Sequence, residues 1–293
     1  MADEATEALQ RAWQQQRLWS QTANRLKNRI GQARLMALCL AIATAILAVA
    51  AVQVTGWAPW AGRILAATGA ITAGVGTIVQ RRVGTTQVSA WTRARSASEG
   101  VKSEVYQRLA GGRRYTSGNP DLTLSQQVEK ILKGVSELQR HTLRVTVTPK
   151  PLPKVHDVAT YITNRVDDQI TRYYRPRAHD YETRVRRLRL AGDVLGALAV
   201  VFGAVAAAFG ITNLAAWVPV VTTVGAALVA HIAANRYDHQ IIEFLRTAAQ
   251  LEYLRDNRVA EKMIDSTFVD ACEDVISVEN QGWMTRWTAT DDS

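Results

Sequence analysis

Residues 35–62 carry no charged side chain, and neither do residues 64–80. Across residues 194–235 the only ionisable group is His231. These runs constrain the fold more than any other feature of the chain. A soluble domain mixes its apolar residues with polar ones. About 20 consecutive apolar residues, roughly 30 Å of helix, match the hydrocarbon thickness of a bilayer instead. Four segments fit: LMALCLAIATAILAVAAVQV at 35–54, ILAATGAITAGVGTIVQ at 64–80, the stretch 190–209, and AWVPVVTTVGAALVAHIAA at 216–234. Pro219 falls in the first turn of the last segment, where a missing N–H costs least. The expected fold class is all-α, a polytopic membrane protein with two tandem units. Each unit has a two-span transmembrane hairpin plus long cytoplasmic helices.

The connections are short: TGWAPWAGR at 55–63 and GITNLA at 210–215. They force antiparallel hairpins. Trp57, Trp60 and Trp217 lie at these turns, as interfacial aromatics do. The hairpin loops hold one charge, Arg63. The other ends hold Arg29, Arg34, Arg81 and Arg82 in the first unit, and Arg184, Arg186, Arg187, Arg189 and Arg236 in the second. These arginines are read as topology and lipid-contact residues. By the positive-inside rule they place the N-terminus, the middle segment and the C-terminus in the cytoplasm of a multi-pass inner-membrane protein. The acidic, polar start MADEATEALQ is no secretory signal. The net charge of +9 is concentrated beside the apolar runs and accompanies no nucleic-acid-binding module, so nucleic acid is not expected as a partner. The two cysteines, Cys39 within a span and Cys272 in a polar region, read as reduced thiols, with Cys39 a small core residue.

A shift of 155 residues superposes the two hairpins without a gap. Arg17 falls on Arg172, Trp19 on Tyr174, Ala23 on Ala178, Arg29 on Arg184, Arg34 on Arg189 and Arg81 on Arg236. The reading is a duplication: a first unit over 1–145, a proline-rich linker at 146–155, a second unit over 156–287 and a loose tail at 288–293. In each unit an amphipathic helix enters the hairpin and a long helix continues from its second span. Asn119-Pro120-Asp121 reads as an N-cap with proline at the first helical position.

RYYRPRAHDYETRVRRLRL before the second hairpin, FLRTAAQLEYLRDN after it and EDVISVENQGW at the end resemble the SLATT domain, a two-transmembrane effector domain associated with SMODS nucleotidyltransferases and SLOG sensors. RLWSQTANRLKNRI and WTRARSASEGVKSEVYQRL flank the first hairpin in a looser likeness, so the chain resembles a tandem SLATT protein. The resemblance implies a bacterial membrane effector of a conflict or phage-defence system, triggered by a nucleotide-signalling partner protein to form a pore or damage the membrane.

No Walker loop, paired-cysteine or zincin-type metal site, or nucleophile elbow is visible, so neither an enzyme nor a cofactor is expected. One carboxylate, Asp193, lies inside a span, four residues and ~6 Å past Arg189. His231 lies five residues and ~7.5 Å before Arg236, at similar depth on the partner span. The first unit has Leu38 and Gly76 at the matching positions, so both polar groups are absent there together. Two readings stand: a hydrogen-bonded, ion-paired or wet Asp193–His231 pair, or an interfacial Asp193 paired with Arg189 and a snorkelling His231. Ala66, Ala70 and Gly74 recur every four residues, as do Gly192 and Gly196, with Gly203 seven further. They are candidate helix-packing positions, within a hairpin or between protomers. Four spans enclose no wide pore, so conduction implies a homo-oligomer in the lipid bilayer. The alternative function is a non-conducting membrane scaffold that anchors a cytoplasmic sensor or enzyme.

Overall fold

The computed structural model describes residues 2–81 and 84–288, without the side chains of 2–6 and 278–288. Among the described residues every regular element is helical. Helix α1 (Ala2–Thr55) turns into α2 (Pro59–Arg81), followed by α3 (Thr85–Ala110) and α4 (Pro120–Lys133). Helix α5 (Val158–Tyr161) passes through π-turns at Ile162–Asp167 and Gln169–Tyr174 into α6 (Arg175–Phe209). Then come α7 (Thr212–Ala215), α8 (Val218–Asn235), α9 (Tyr237–Asn257) and α10 (Asp265–Thr288). Four helical stretches are long and apolar enough to cross a membrane: Glu7–Thr55, Pro59–Arg81, Val158–Phe209 and Thr212–Asn257. The chain is an all-α polytopic membrane protein.

Contacts divide it into two compact units that cut across chain order. The span unit is Arg29–Gly84 with His179–Ile241; the core unit is Met1–Asn28 with Thr85–Ala178 and Ile242–Ser293. Each hairpin goes to the span unit and its flanking helices go to the core unit.

In the span unit only 6% to 17% of each apolar window is buried, so the chain leaves these surfaces for lipid. The first hairpin closes tightly. A Cβ on Gly62 would lie 2.0 Å from Thr55 Oγ1 and 2.9 Å from the Ala51 carbonyl oxygen. Further along, Gly69 meets Leu47, Gly76 meets Leu40, and Thr44 bonds Thr72 at 3.2 Å. The second hairpin turns at Gly210, whose φ of +67° favours glycine. The long helices expected after the second and fourth spans are present as α3 and α9, each set apart from its span by a break. Gly84 is a bend between α2 and α3, and Arg236, in the left-handed region at φ 48°, separates α8 from α9. A residue there cannot continue an α-helix.

In the core unit, Leu9, Ala12, Trp13, Gln16, Trp19, Ala23 and Leu26 form the buried stripe of α1 at three- and four-residue steps. Helix α3 packs against α10 and α4. Asn119 caps α4 as expected, its Oδ1 accepting from the N–H of Asp121 and Leu122 at 3.1 Å. The segment after the 3-10 turn Ser136–His141 lies extended along α1. Trp13 Nε1 donates to the Lys150 carbonyl at 3.0 Å, and Arg25 to that of Arg144 at 2.6 Å. Between them Gln21 pairs with the Thr146 carbonyl and the Thr148 N–H. Four helical residues rise ~6 Å and two extended residues ~6.6 Å, so every fourth side chain of α1 meets alternate peptides of the strap.

Candidate functional site

At the edge of the spans the structure makes no Asp193–His231 bond. Asp193 is exposed and has no hydrogen bond or ion pair among the described residues. Its neighbour Arg189 instead pairs with Asp238 at 2.8 Å. His231 is half-buried against Asn235, whose Nδ2 lies 3.2 Å from His231 Nε2 and donates to the His231 carbonyl at 2.8 Å. Arg34 donates to Asn235 Oδ1 at 3.1 Å. Arg186 faces Glu182 at 3.9 Å, whereas Arg29, Arg81, Arg184 and Arg187 are exposed without a carboxylate partner among the described residues. Arg82 lies outside the described residues.

The small residues singled out in the sequence do not mediate contact within the chain. A Cβ added at Gly74, Gly192, Gly196 or Gly203 would meet open space, and Ala66 and Ala70 are exposed. The glycines that do let helices of this chain approach are Gly62, Gly69 and Gly76. Cys39, expected in the core, is exposed on its span, and Cys272 is buried. Periodicity could not separate these cases, because lipid-facing and helix-facing positions are equally apolar.

The core unit holds a second site, which the sequence reading missed. Arg165 and Glu273 form a fully buried bidentate pair: Nε to Oε1 and Nη2 to Oε2, both 2.8 Å. Tyr161 donates to Glu273 Oε1 at 3.0 Å, and the Arg165 guanidinium lies 4.5 Å from the centre of the Tyr106 ring. The π-turn explains how Arg165 reaches this place. Tyr161–Val166 and Arg165–Ile170 are five-residue steps between buried positions, longer than an α-turn, and i→i+5 hydrogen bonding absorbs them. Burial and the adjoining Glu273 carboxylate push the Tyr161 hydroxyl and the Cys272 thiol well above their usual ranges. Burial holds the Lys102 ammonium low despite its neighbour Glu99. Against the penalty of burial, Lys102, Arg95 and Arg165 hold the Glu99 carboxyl below its ordinary value. The signal was present in the sequence: Glu273 sits on the apolar face of α10 among Phe268, Val269, Cys272 and Ile276. A charge on such a face needs a buried partner. Its surroundings are those of a structural ion pair. Among the described residues no three of His, Cys, Asp and Glu gather at metal-binding spacing.

Residues 161–283 match the family model described as SMODS and SLOG-associating 2TM effector domain 1. Residues 15–121 match a different one, a protein family of unknown function, DUF4231. The tandem reading therefore holds as two successive two-span regions and not as two copies of one family model. No curated protein and no solved structure matches the chain. The second hairpin and the helices around it, Tyr161 to Trp283, are thus similar to the family described as SMODS and SLOG-associating 2TM effector domain 1, preceded by a region similar to DUF4231.

Proposed function

We propose that this chain is a membrane effector whose spans assemble into a homo-oligomer and permeabilise the bacterial inner membrane on a signal from a nucleotide-signalling or phage-defence partner. The observation that carries the reading is the open small-residue surface of α2 and α6. Gly74, Gly192, Gly196 and Gly203 meet nothing in their own chain, yet lie in a region that matches a family described as an effector domain or in the hairpin before it. Small residues at helical spacing let another helix approach closely. The N- and C-termini face the cytoplasm in this reading, the core unit receives the signal, and no catalysis is involved. The spans present few polar side chains, which suits a resting state closed by dewetting.

Dye release from liposomes holding the purified chain tests this, with and without a panel of cyclic nucleotides. Release gated by one nucleotide supports the pore and names the trigger. Silence in correctly inserted protein, including silence when the host's nucleotide-signalling enzymes are supplied, overturns it in favour of a scaffold that anchors a cytoplasmic protein and conducts nothing.

A further inference from the structure

One place in the span unit gathers N–H donors from three helices, two of them arginines. Arg34 is the last residue of α1 before the uncharged run 35–62. Its guanidinium holds Asn235 Oδ1 at the end of α8, and Asn235 Nδ2 lies 3.2 Å from His231 Nε2. Nε2 then accepts from the amide, which leaves the ring proton on Nδ1, a donor. Arg34 and Arg184 of α6 both lie within electrostatic reach of this imidazole. Arg184 is exposed and has no hydrogen bond or ion pair among the described residues. The nearest acid is Asp180, exposed one turn before Arg184 on α6; the others are engaged or farther off. Arg189 holds Asp238, Arg186 faces Glu182, and Asp193 is nine residues past Arg184, ~13 Å along the helix. The left-handed Arg236 ends α8 at this level. Around the imidazole the charged neighbours are therefore arginines, and the group presents N–H donors.

A ligand for such a cluster is an anion with several acceptor oxygens and no donor, which describes a phosphodiester. Arginine matches phosphate oxygens in bidentate fashion. Depth selects the source. Arg34 borders the hydrocarbon-length run directly, so its guanidinium lies at the level of lipid headgroups. We propose that Arg34, Arg184 and the Asn235–His231 pair form a binding site for the phosphodiester headgroup of an anionic membrane lipid. The site stands whether or not the chain conducts.

Native mass spectrometry of the full-length protein, released from nanodiscs of phosphatidylglycerol and phosphatidylcholine, tests the site. Wild type retains phosphatidylglycerol in preference. Arg184→Gln lowers that preference about tenfold, the loss expected for one charge-assisted contact. Arg34→Gln lowers it at least as much. Arg187→Gln, which removes another exposed, carboxylate-free arginine of α6, leaves it intact. Arg184 has no partner within the described chain, so its variant folds, as an unchanged melting curve verifies. Undiminished preference in Arg184→Gln overturns the proposal. Equal losses in Arg184→Gln and Arg187→Gln also overturn it, because they reveal diffuse surface charge. If soluble glycerophosphoglycerol displaces the lipid at equal concentration, the cluster reads a free phosphodiester and the lipid assignment falls.

Discussion

The two units of this chain pack helices by opposite means. The span unit uses shape: a helix comes close where a glycine gives way, as Gly62 does beside Thr55 and Ala51. The core unit uses charge and aromatic rings: Arg165 and Glu273 are wholly buried against each other, with Tyr161 and Tyr106 around them. Each unit does what its surroundings permit. In lipid there is no hydrophobic force between helices, so close packing and small residues decide association. In a water-facing core, burial is already driven by the hydrophobic effect, and a polar pair can fix one arrangement among several.

The largest expected effect breaks the core unit alone. Glu273→Ala strands the Arg165 charge, a loss of about 3–5 kcal/mol for a buried pair. Replacing both residues with apolar ones of similar volume recovers most of that loss, because no charge is left without a partner. Chemical denaturation of the full chain in detergent measures both. A double variant as unstable as the single one would mean that shape, not charge, holds this core too.

The next effect belongs to the span unit. Gly62→Ala drives a methyl into Thr55 Oγ1 and to within 2.9 Å of backbone atoms of Ala51 and Thr55. Overpacking of this kind costs about 1–3 kcal/mol. Adding Thr55→Ala removes the hydroxyl contact but not the two backbone contacts, so rescue is partial. Thermal unfolding of wild type and the two variants in nanodiscs reads the order; full rescue would place the whole conflict on the hydroxyl.

A smaller effect compares the two thiols. Burial and the Glu273 carboxylate raise Cys272, so at neutral pH it is a thiol without access to reagent. Cys39 is open on its span. In a Cys39→Ser background, which removes the lipid-facing thiol, a maleimide labels Cys272 only after unfolding. With Glu273→Ala added the core loosens and Cys272 is labelled without unfolding. Native labelling of Cys272 with Glu273 in place would contradict the dry, paired core.

How legible each unit was follows the same division. The spans were readable because a charge-free run of bilayer length has one fold available to it. The cap of α4 was readable because Asn119 and Pro120 act locally. What escaped depended on partners distant in sequence. Arg165 and Glu273 are 108 residues apart, and the π-turns that aim Arg165 inward have no local signature. Spacings of four and five residues from their nearest arginines gave Asp193 and His231 similar depth but no azimuth, and the structure joins His231 to Asn235. The glycine spacings gave faces without saying what covers them, which is why Gly196 and Gly62 looked alike on paper.

That ambiguity makes the smallest expected effect the sharpest test of the comparison. Gly196 and Gly203 are helical, and an added Cβ at either meets open space within the chain. Gly→Ala in a helix interior favours the helix by roughly 0.5–1 kcal/mol. If lipid alone covers this face, Gly196→Ala and Gly203→Ala leave the monomer as stable as wild type or slightly more so, and cross-linked oligomer yield is unchanged. If a second copy packs there, the same methyls hold the helices apart: monomer stability is still preserved while oligomer yield and dye release fall together. Gly62→Ala gives the inverse pattern, a weakened monomer whose loss of assembly follows from the loss of its hairpin. Stability and assembly measured side by side on these three variants therefore tell a glycine used inside one chain from a glycine kept free for another.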